Sequence, residues 1–531
     1  MTPDAPRGPD RRGHLLALIL AAGAVAVALA ATPYRTFDLD RHAVPKELAL
    51  HLTAMLAGST ALVTRREKPL QLARPDLFLL GYLLLSLLSV LATTNHWLGV
   101  RALAISVSSA VCYWSARQAA ALGAGSLVRG GVAIAILLAA TTGLLQAYGV
   151  TLSIFAETRS PGGTFGNRNF LAHVAAIGLP LYVSLAIGAR RGVGAAVATL
   201  GLVAATAILV LSRSRAAWLG GVAGVGMLGL WALVGARPEL TLVRRRRLAL
   251  VAAAMTSAVL LAMLLPNRLR WTVANPYSAT VANIVDAKDG SGRGRLIQYR
   301  NTLKLVAQDP VLGVGPGNWA VRYPTVTYRG DPAYVPGATV PTNPWPSSDW
   351  VALVAERGAA AVLLLAFAFV GLAVRAWRAA RARDVEAWGA AGVAAALLTV
   401  GTFDAVLLNA APALLAFTAL GATVPVNDSS ERRRPLPRWL TALGALVVLA
   451  GVVRSSQSLT ALARFDGART LQQQTRAATI DPGNYRLRWL VGNAWLARGN
   501  REIGCVHARA AGAQFPHTEA ARRLARRCAR R

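Results

Sequence analysis

Ser291-Gly-Arg-Gly-Arg295, Gly313-Val-Gly-Pro-Gly317 and Ser347-Ser-Asp-Trp350 punctuate one long polar stretch, Pro266 to Trp350. The chain on either side of it is built of membrane-length apolar runs. Of 531 residues, 54% are hydrophobic, and the mean hydropathy is +0.43. A soluble domain is about 45–50% apolar. The net charge is nevertheless +33, from 57 Lys+Arg against 24 Asp+Glu. The arginines fall in short clusters between apolar runs, not along one face. That pattern belongs to a polytopic membrane protein and argues against nucleic acid as a partner.

A bilayer core needs about 20 apolar residues per helix. The chain offers about thirteen such runs, from 15–31 to 439–453, with the sixth at 170–188. The weakest are 47–63, which contains His51, and the two that flank Asp404. Arg7, Arg11 and Arg12 precede the first run, which reads as a retained helix and not a cleaved signal peptide. Basic clusters mark every second connection: Arg65, Arg66 and Lys68; Arg190 and Arg191; Arg244 to Arg247; Arg432 and Arg433. Positive residues stay inside. The N-terminus is therefore expected in the cytoplasm, with the 266–350 loop and the C-terminal tail outside. The expected fold is all-α: a polytopic bundle of about 12–13 transmembrane helices over 1–453, with a large extracytoplasmic loop, and a helical domain over 454–531.

In the tail, Asp481-Pro-Gly-Asn-Tyr485 opens a helix, and Leu487, Leu490, Ala494 and Trp495 recur with helical period. Gly499-Asn500 turns the chain, and Phe515-Pro516 closes a second helix. Helix, turn, helix and closing proline is the tetratricopeptide pattern, a partner-binding type of repeat. Cys112 lies in an apolar run and reads as a core residue. Cys505 and Cys528 lie in the tail, either bonded to each other or as two free thiols. No cysteine or histidine spacing suits a metal, and no cofactor motif is present.

Four segments gather on the outside. Ser160-Pro-Gly-Gly-Thr-Phe-Gly-Asn-Arg-Asn169 makes a tight polar turn, and Ser212-Arg-Ser-Arg215 joins two spans. Arg293, Arg295 and Tyr299 precede Asp309-Pro310 and the glycine-rich 313–317. The last lacks the lysine and preceding strand of a phosphate loop. Asp349, Trp350, Glu356 and Gly358 head the tenth run.

In this order and on one side, these segments resemble the O-antigen ligase and polymerase superfamily of bacterial membrane glycan transferases, over about 160–375. Gly163-Thr-Phe-Gly-Asn-Arg-Asn169 matches its glycine/asparagine turn, and Ser214-Arg215 its Ser-Arg pair. Arg295-Leu-Ile-Gln-Tyr299, Asp309-Pro310 and Gly313-Val-Gly-Pro-Gly-Asn-Trp319 match its large loop. The resemblance implies a metal-independent transferase of the bacterial inner membrane. Its donor would be a glycan on undecaprenyl pyrophosphate. Its acceptor would be a hydroxyl of another glycan, a lipid A core or a protein. Arg215 and Arg295 would grip the pyrophosphate, with Arg293 as substitute for the second, since guanidinium forks bind such oxygens bidentately. Asn167, Asn169, Ser214 and Tyr299 would line the cavity.

One departure stands out. Ser347 occupies the place of the histidine that serves the family as general base, and a serine alone has no suitable basic group. Three residues are candidates for the missing chemistry. His173 either faces the same cavity or is a satisfied polar residue between helices. Asp349 is either a base or the cap of its own helix. Glu356 should face the cavity or pair with an arginine. A transporter-like or non-catalytic scaffold protein is the competing class.

Overall fold

The computed structural model describes residues 10–64, 71–155, 158–189, 192–235, 241–271, 273, 275–282, 290–335, 337–381, 384–423 and 434–529. Arg65, Arg66, Lys68, Arg190, Arg191, Arg432 and Arg433 lie outside these residues. Among the described residues, the regular structure is helical apart from one antiparallel ladder of two residues a side, Gln71–Leu72 (β1) with Arg434–Pro435 (β2).

Among the described residues, nine α-helices precede the polar stretch: α1 (Arg11–Leu29), α2 (Asp40–Thr64), α3 (Arg74–Ser89), α4 (His96–Ala121), α5 (Gly125–Ala147), α6 (Arg168–Gly188), α7 (Gly192–Ser212), α8 (Arg215–Leu230) and α9 (Leu242–Leu264). The stretch itself carries α10 (Pro276–Ala282), α11 (Gly290–Gln308), α12 (Trp319–Arg322) and α13 (Asp349–Arg357). The bundle then closes with α14 (Ala359–Arg381), α15 (Val385–Phe403), α16 (Ala410–Thr423) and α17 (Arg438–Asp466). The tail forms α18 (Leu471–Ile480), α19 (Tyr485–Ala497), α20 (Arg501–Gln514) and α21 (Glu519–Ala529).

Among the described residues, ten helices are long and apolar enough to cross a membrane, and Ala359–Arg375 and Ala410–Thr423 are shorter apolar helices. The weak second run forms α2, whose His42, Lys46, Glu47 and His51 are buried against other helices. Together these account for the runs read from the sequence, and the protein is a multi-pass membrane bundle. α6 is its axis: 89% of its apolar window is enclosed by protein, against 17% for α9 and 22% for α17. A helix apolar on all sides belongs at the centre of such a bundle. It packs against α5, α7, α8 and α15.

The connections that the sequence puts outside converge on one face. There His42 Nδ1 meets the Thr164 carbonyl at 3.1 Å, and the Asn95 amide donates to Asn318 Oδ1 at 2.7 Å. Basic residues hold the opposite face. Arg129 pairs with Glu386 at 2.6 Å, and Arg247 donates to the Ile187 carbonyl at 2.9 Å.

The boundary drawn at 453/454 falls inside α17, which runs unbroken for 29 residues from the bundle into the tail. Asp481, fully buried, accepts from Arg454 and from Ser458 Oγ and so ties α18 back onto α17. Asn484 and Asn500 cap α19 and α20 through their side chains. Tyr485, Phe515 and Ala521 of the tail share one buried cluster with Leu305, Trp319 and Tyr323 of the polar stretch. The tail therefore sits on the loop as part of one core.

Cys505 and Cys528 are joined in a disulfide across α20 and α21. Closing a loop of 23 residues restricts the unfolded chain by about 3 kcal/mol. Cys505→Ser is accordingly expected to lower the hydrogen-exchange protection of α20 and α21 by roughly 100-fold. Unchanged protection would show that the shared core, not the bond, holds these helices.

Candidate functional site

The break between α15 and α16 carries neither glycine nor proline. A carboxylate makes it. Asp349, fully buried, accepts from the amides of Val406 and Leu407 at 3.0–3.1 Å, each amide shared between its two oxygens. Removing that acceptor would strand two buried donors. Ser348, not Asp349, caps α13, its Oγ accepting from the Val351 amide. The expectation that Asp349 caps its own helix is thus corrected: it caps the neighbouring turn. Burial pushes the Asp349 carboxyl up to about 7, against the pull of the Leu407 and Val406 amides.

The turn held by Asp349 presents Asp404. Its Oδ2 lies 3.4 Å from Nε2 of His173 in the first half of α6. His173 is fully buried, and neither ring nitrogen has a well-formed hydrogen bond in the protein. Nε2 thus faces the Asp404 carboxylate, and Nδ1 has no hydrogen-bond partner among the described residues. Burial opposes ionisation of Asp404, but His173 and Arg295 outweigh it and hold the carboxyl below its usual range. Arg295 thus brings α11 to the same centre. Tyr299, one turn on, donates its hydroxyl to the Ser347 carbonyl, and Gln298 Oε1 accepts from the Ser347 amide at 2.9 Å. Ser347 is therefore gripped through its backbone by α11. Burial raises the Tyr299 phenol to about 12, so it stays a donor. Phe170 and Trp345 wall the centre, with ring centroids 6.1 Å from His173 to Phe170 and 6.3 Å from Phe170 to Trp345.

A second cluster lies at the N-terminus of α6. The Trp271 ring has the Arg168 guanidinium 5.0 Å and the Arg213 guanidinium 4.6 Å from its centroid. Arg213 takes a left-handed backbone (φ 55°), and its Nε donates to Thr280 Oγ1 at 2.9 Å. It faces the polar stretch instead of reaching along lipid. The Trp271 indole N–H has no hydrogen-bond partner among the described residues. Ser214 is buried at the N-terminus of α8, and Arg215 opens that helix, half-buried. Asn167 caps α6 by accepting from the Asn169 amide at 3.0 Å, while Asn169 is half-buried beside Arg168. Arg293 is exposed on α11. The structure therefore sets Arg295 and Tyr299 with His173, Arg213 with Arg168, and Arg293 in solvent.

Glu356, at the end of α13, lines the cavity that Phe170 and Trp345 also line. Its two oxygens accept from the amides of Gly317 (2.9 Å) and Trp319 (3.3 Å). The amides of Val314 and Gly315 donate to the carbonyls of Ala355 and Glu356. The glycine-rich 313–317 is a clasp around the end of α13. A Cβ on Gly313 (φ 66°) would lie 2.4 Å from the Glu356 carbonyl carbon, and one on Gly358 (φ 80°) 1.9 Å from the Val311 oxygen. Only glycine fits both places.

Sequence reasoning missed Trp271 and gave Asp404 no role, and it noted Arg168 and Arg213 only as arginines of the outside turns. An aspartate between two apolar runs was the available signal, since such a residue seldom sits there without a partner.

The family model described as O-antigen ligase matches residues 200–344. The match takes in Arg213, Arg215, Trp271, Arg295 and Tyr299 but neither His173 nor Asp404. No curated protein matches the chain.

Proposed function

We propose that this chain, whose residues 200–344 match the O-antigen ligase family model, moves a glycan from undecaprenyl pyrophosphate to an acceptor hydroxyl at the outer face of the bacterial inner membrane. The reading rests on one observation above others. A buried histidine turns Nε2 to a carboxylate, beside an arginine and a phenol, on the helix that carries an arginine–tryptophan–arginine stack at its end. Arg168 and His173 are five positions apart on α6, about 7.5 Å along the axis. That separation suits a pyrophosphate at one end and the reacting sugar carbon at the other.

In the reaction, the acceptor oxygen bonds to the anomeric carbon while the carbon–oxygen bond to pyrophosphate breaks. The electron pair leaves on the pyrophosphate, and the acceptor proton passes to His173. Asp404 orients the ring and stabilises its charge. Arg295, Arg213, Arg168 and Arg215 surround the leaving group, where negative charge grows. Arg293 lies in reserve on the exposed side of α11. Asp349 holds Asp404 in place, and Glu356 holds the loop. Ser214, Asn167 and Asn169 shape the mouth. We read α19 and α20 as a tetratricopeptide-type pair docked on the loop.

The test is a deletion strain whose lipid-linked and surface glycans are analysed. Loss of a ligase leaves long polymer on the carrier, and loss of a polymerase leaves single repeat units. Normal glycans in both pools would sink the transferase reading.

A further inference from the structure

At the end of the bundle away from the polar stretch, a groove of about 180 Å³ lies between α2, α3, α4 and α17. Leu80 and Leu84 of α3, Val107 and Val111 of α4, and Leu440 and Val447 of α17 line it. A Cβ at Gly444, on the same lining, would meet no atom within 4 Å, so the space there is open. The polar members of the lining fall at one end. Ser59, Ser115, Gln118 and Thr441 each stand within six residues of the helix end on the side of the β1–β2 ladder.

That ladder ties the rim together. Leu72 pairs with Arg434, and the helices α3 and α17 start just beyond the two strands, at Arg74 and Arg438. Both arginines are exposed. The one acid close by in sequence, Asp76, is taken by Arg117 and by the Trp114 indole N–H at 3.2 Å. The rim therefore offers two guanidinium groups without an acid to answer them, above a slot that turns apolar with depth.

An unfilled slot forfeits packing on every side, and water finds polar partners only at the rim. An amphiphile matches both halves. Its chain fills the apolar depth, and its head lies where guanidinium forks can take phosphate oxygens. The arginine bias puts this rim in the cytoplasmic leaflet. We infer that the groove binds an anionic phospholipid of that leaflet, with one acyl chain in the slot and the phosphate between Arg74 and Arg438. The lipid is then part of the seat of α17, the helix that carries the tail. Nothing in this depends on the transfer reaction.

The test places the full chain in nanodiscs of phosphatidylglycerol and phosphatidylcholine in equal parts, with matched acyl chains, and reads the lipid retained on the released protein by native mass spectrometry. Phosphatidylglycerol is expected to be retained roughly 25-fold over phosphatidylcholine, from two basic side chains at an anionic head. Arg74→Ala and Arg438→Ala are each expected to lower that ratio about 5-fold. Gly444→Leu fills open space and favours the helix, so it should cut retention of both lipids without loss of thermal stability. Arg464→Ala, exposed in the last turn of α17, should change nothing. Equal retention of the two lipids, a ratio untouched by either rim variant, or undiminished retention in Gly444→Leu would overturn the inference. Displacement of phosphatidylglycerol by added polyprenyl phosphate would overturn it too, by making the slot a site for the carrier.

Discussion

His173→Ala is expected to lower glycan transfer by about 10²–10⁴-fold, the range a positioned general base supplies. The effect should fall on turnover and not on donor binding, because no pyrophosphate-holding group is removed. Asp404→Asn should cost less, since the ring keeps a polar neighbour but loses the charge that stabilises it when protonated. The decisive measurement is the double variant. If Asp404 (3.4 Å from the ring) acts through His173, then Asp404→Asn on top of His173→Ala adds little. Full additivity would mean that the two residues serve separate purposes and that the pair is structural. Retained thermal stability separates either outcome from misfolding.

Arg295→Ala is expected to reduce transfer by roughly 10²–10³-fold, the scale of removing one preorganised charge from a leaving group. Lipid-linked glycan should accumulate in cells that carry it. Arg295→Lys should recover only part of the loss, because an ammonium restores the charge without the fork. Arg213→Ala should act in the same direction and raise the donor KM, since Arg213 stacks on Trp271 at 4.6 Å and is fixed by Thr280. Full activity in both alanine variants would leave the chain as a scaffold. Arg293→Ala, on the exposed side of α11, is the control that should change nothing.

The bundle was legible because lipid imposes a length. Every apolar run long enough to cross had to become a helix, and charge bias sorted the connections. The polar stretch was legible as an element apart from the spans, from its polar composition and its glycine motifs. The centre was not. His173 and Asp404 sit in spans far apart in the chain, and nothing local to either names the other. Asp349 looked like a helix cap because Asp at such a place usually is one. Its true partners, Val406 and Leu407, are backbone groups that no sequence pattern displays. The 313–317 glycines were legible as no phosphate loop, but their use as a clasp depends on where α13 ends. The tail was legible as helical. Its fusion with the loop, through Tyr485, Phe515 and Trp319, rests on long-range packing that period alone cannot show.

The unbroken course of α17 has a metric consequence. Its 29 residues span about 44 Å, against roughly 30 Å of hydrocarbon. A rigid mast therefore stands out of the bilayer and fixes the height at which α19 hangs over the mouth of the bundle. A stiff post sets a clearance, and a clearance measures what passes beneath it. One continuous helix thus holds the tail at a fixed height over the bundle, which a flexible linker of the same length would not do.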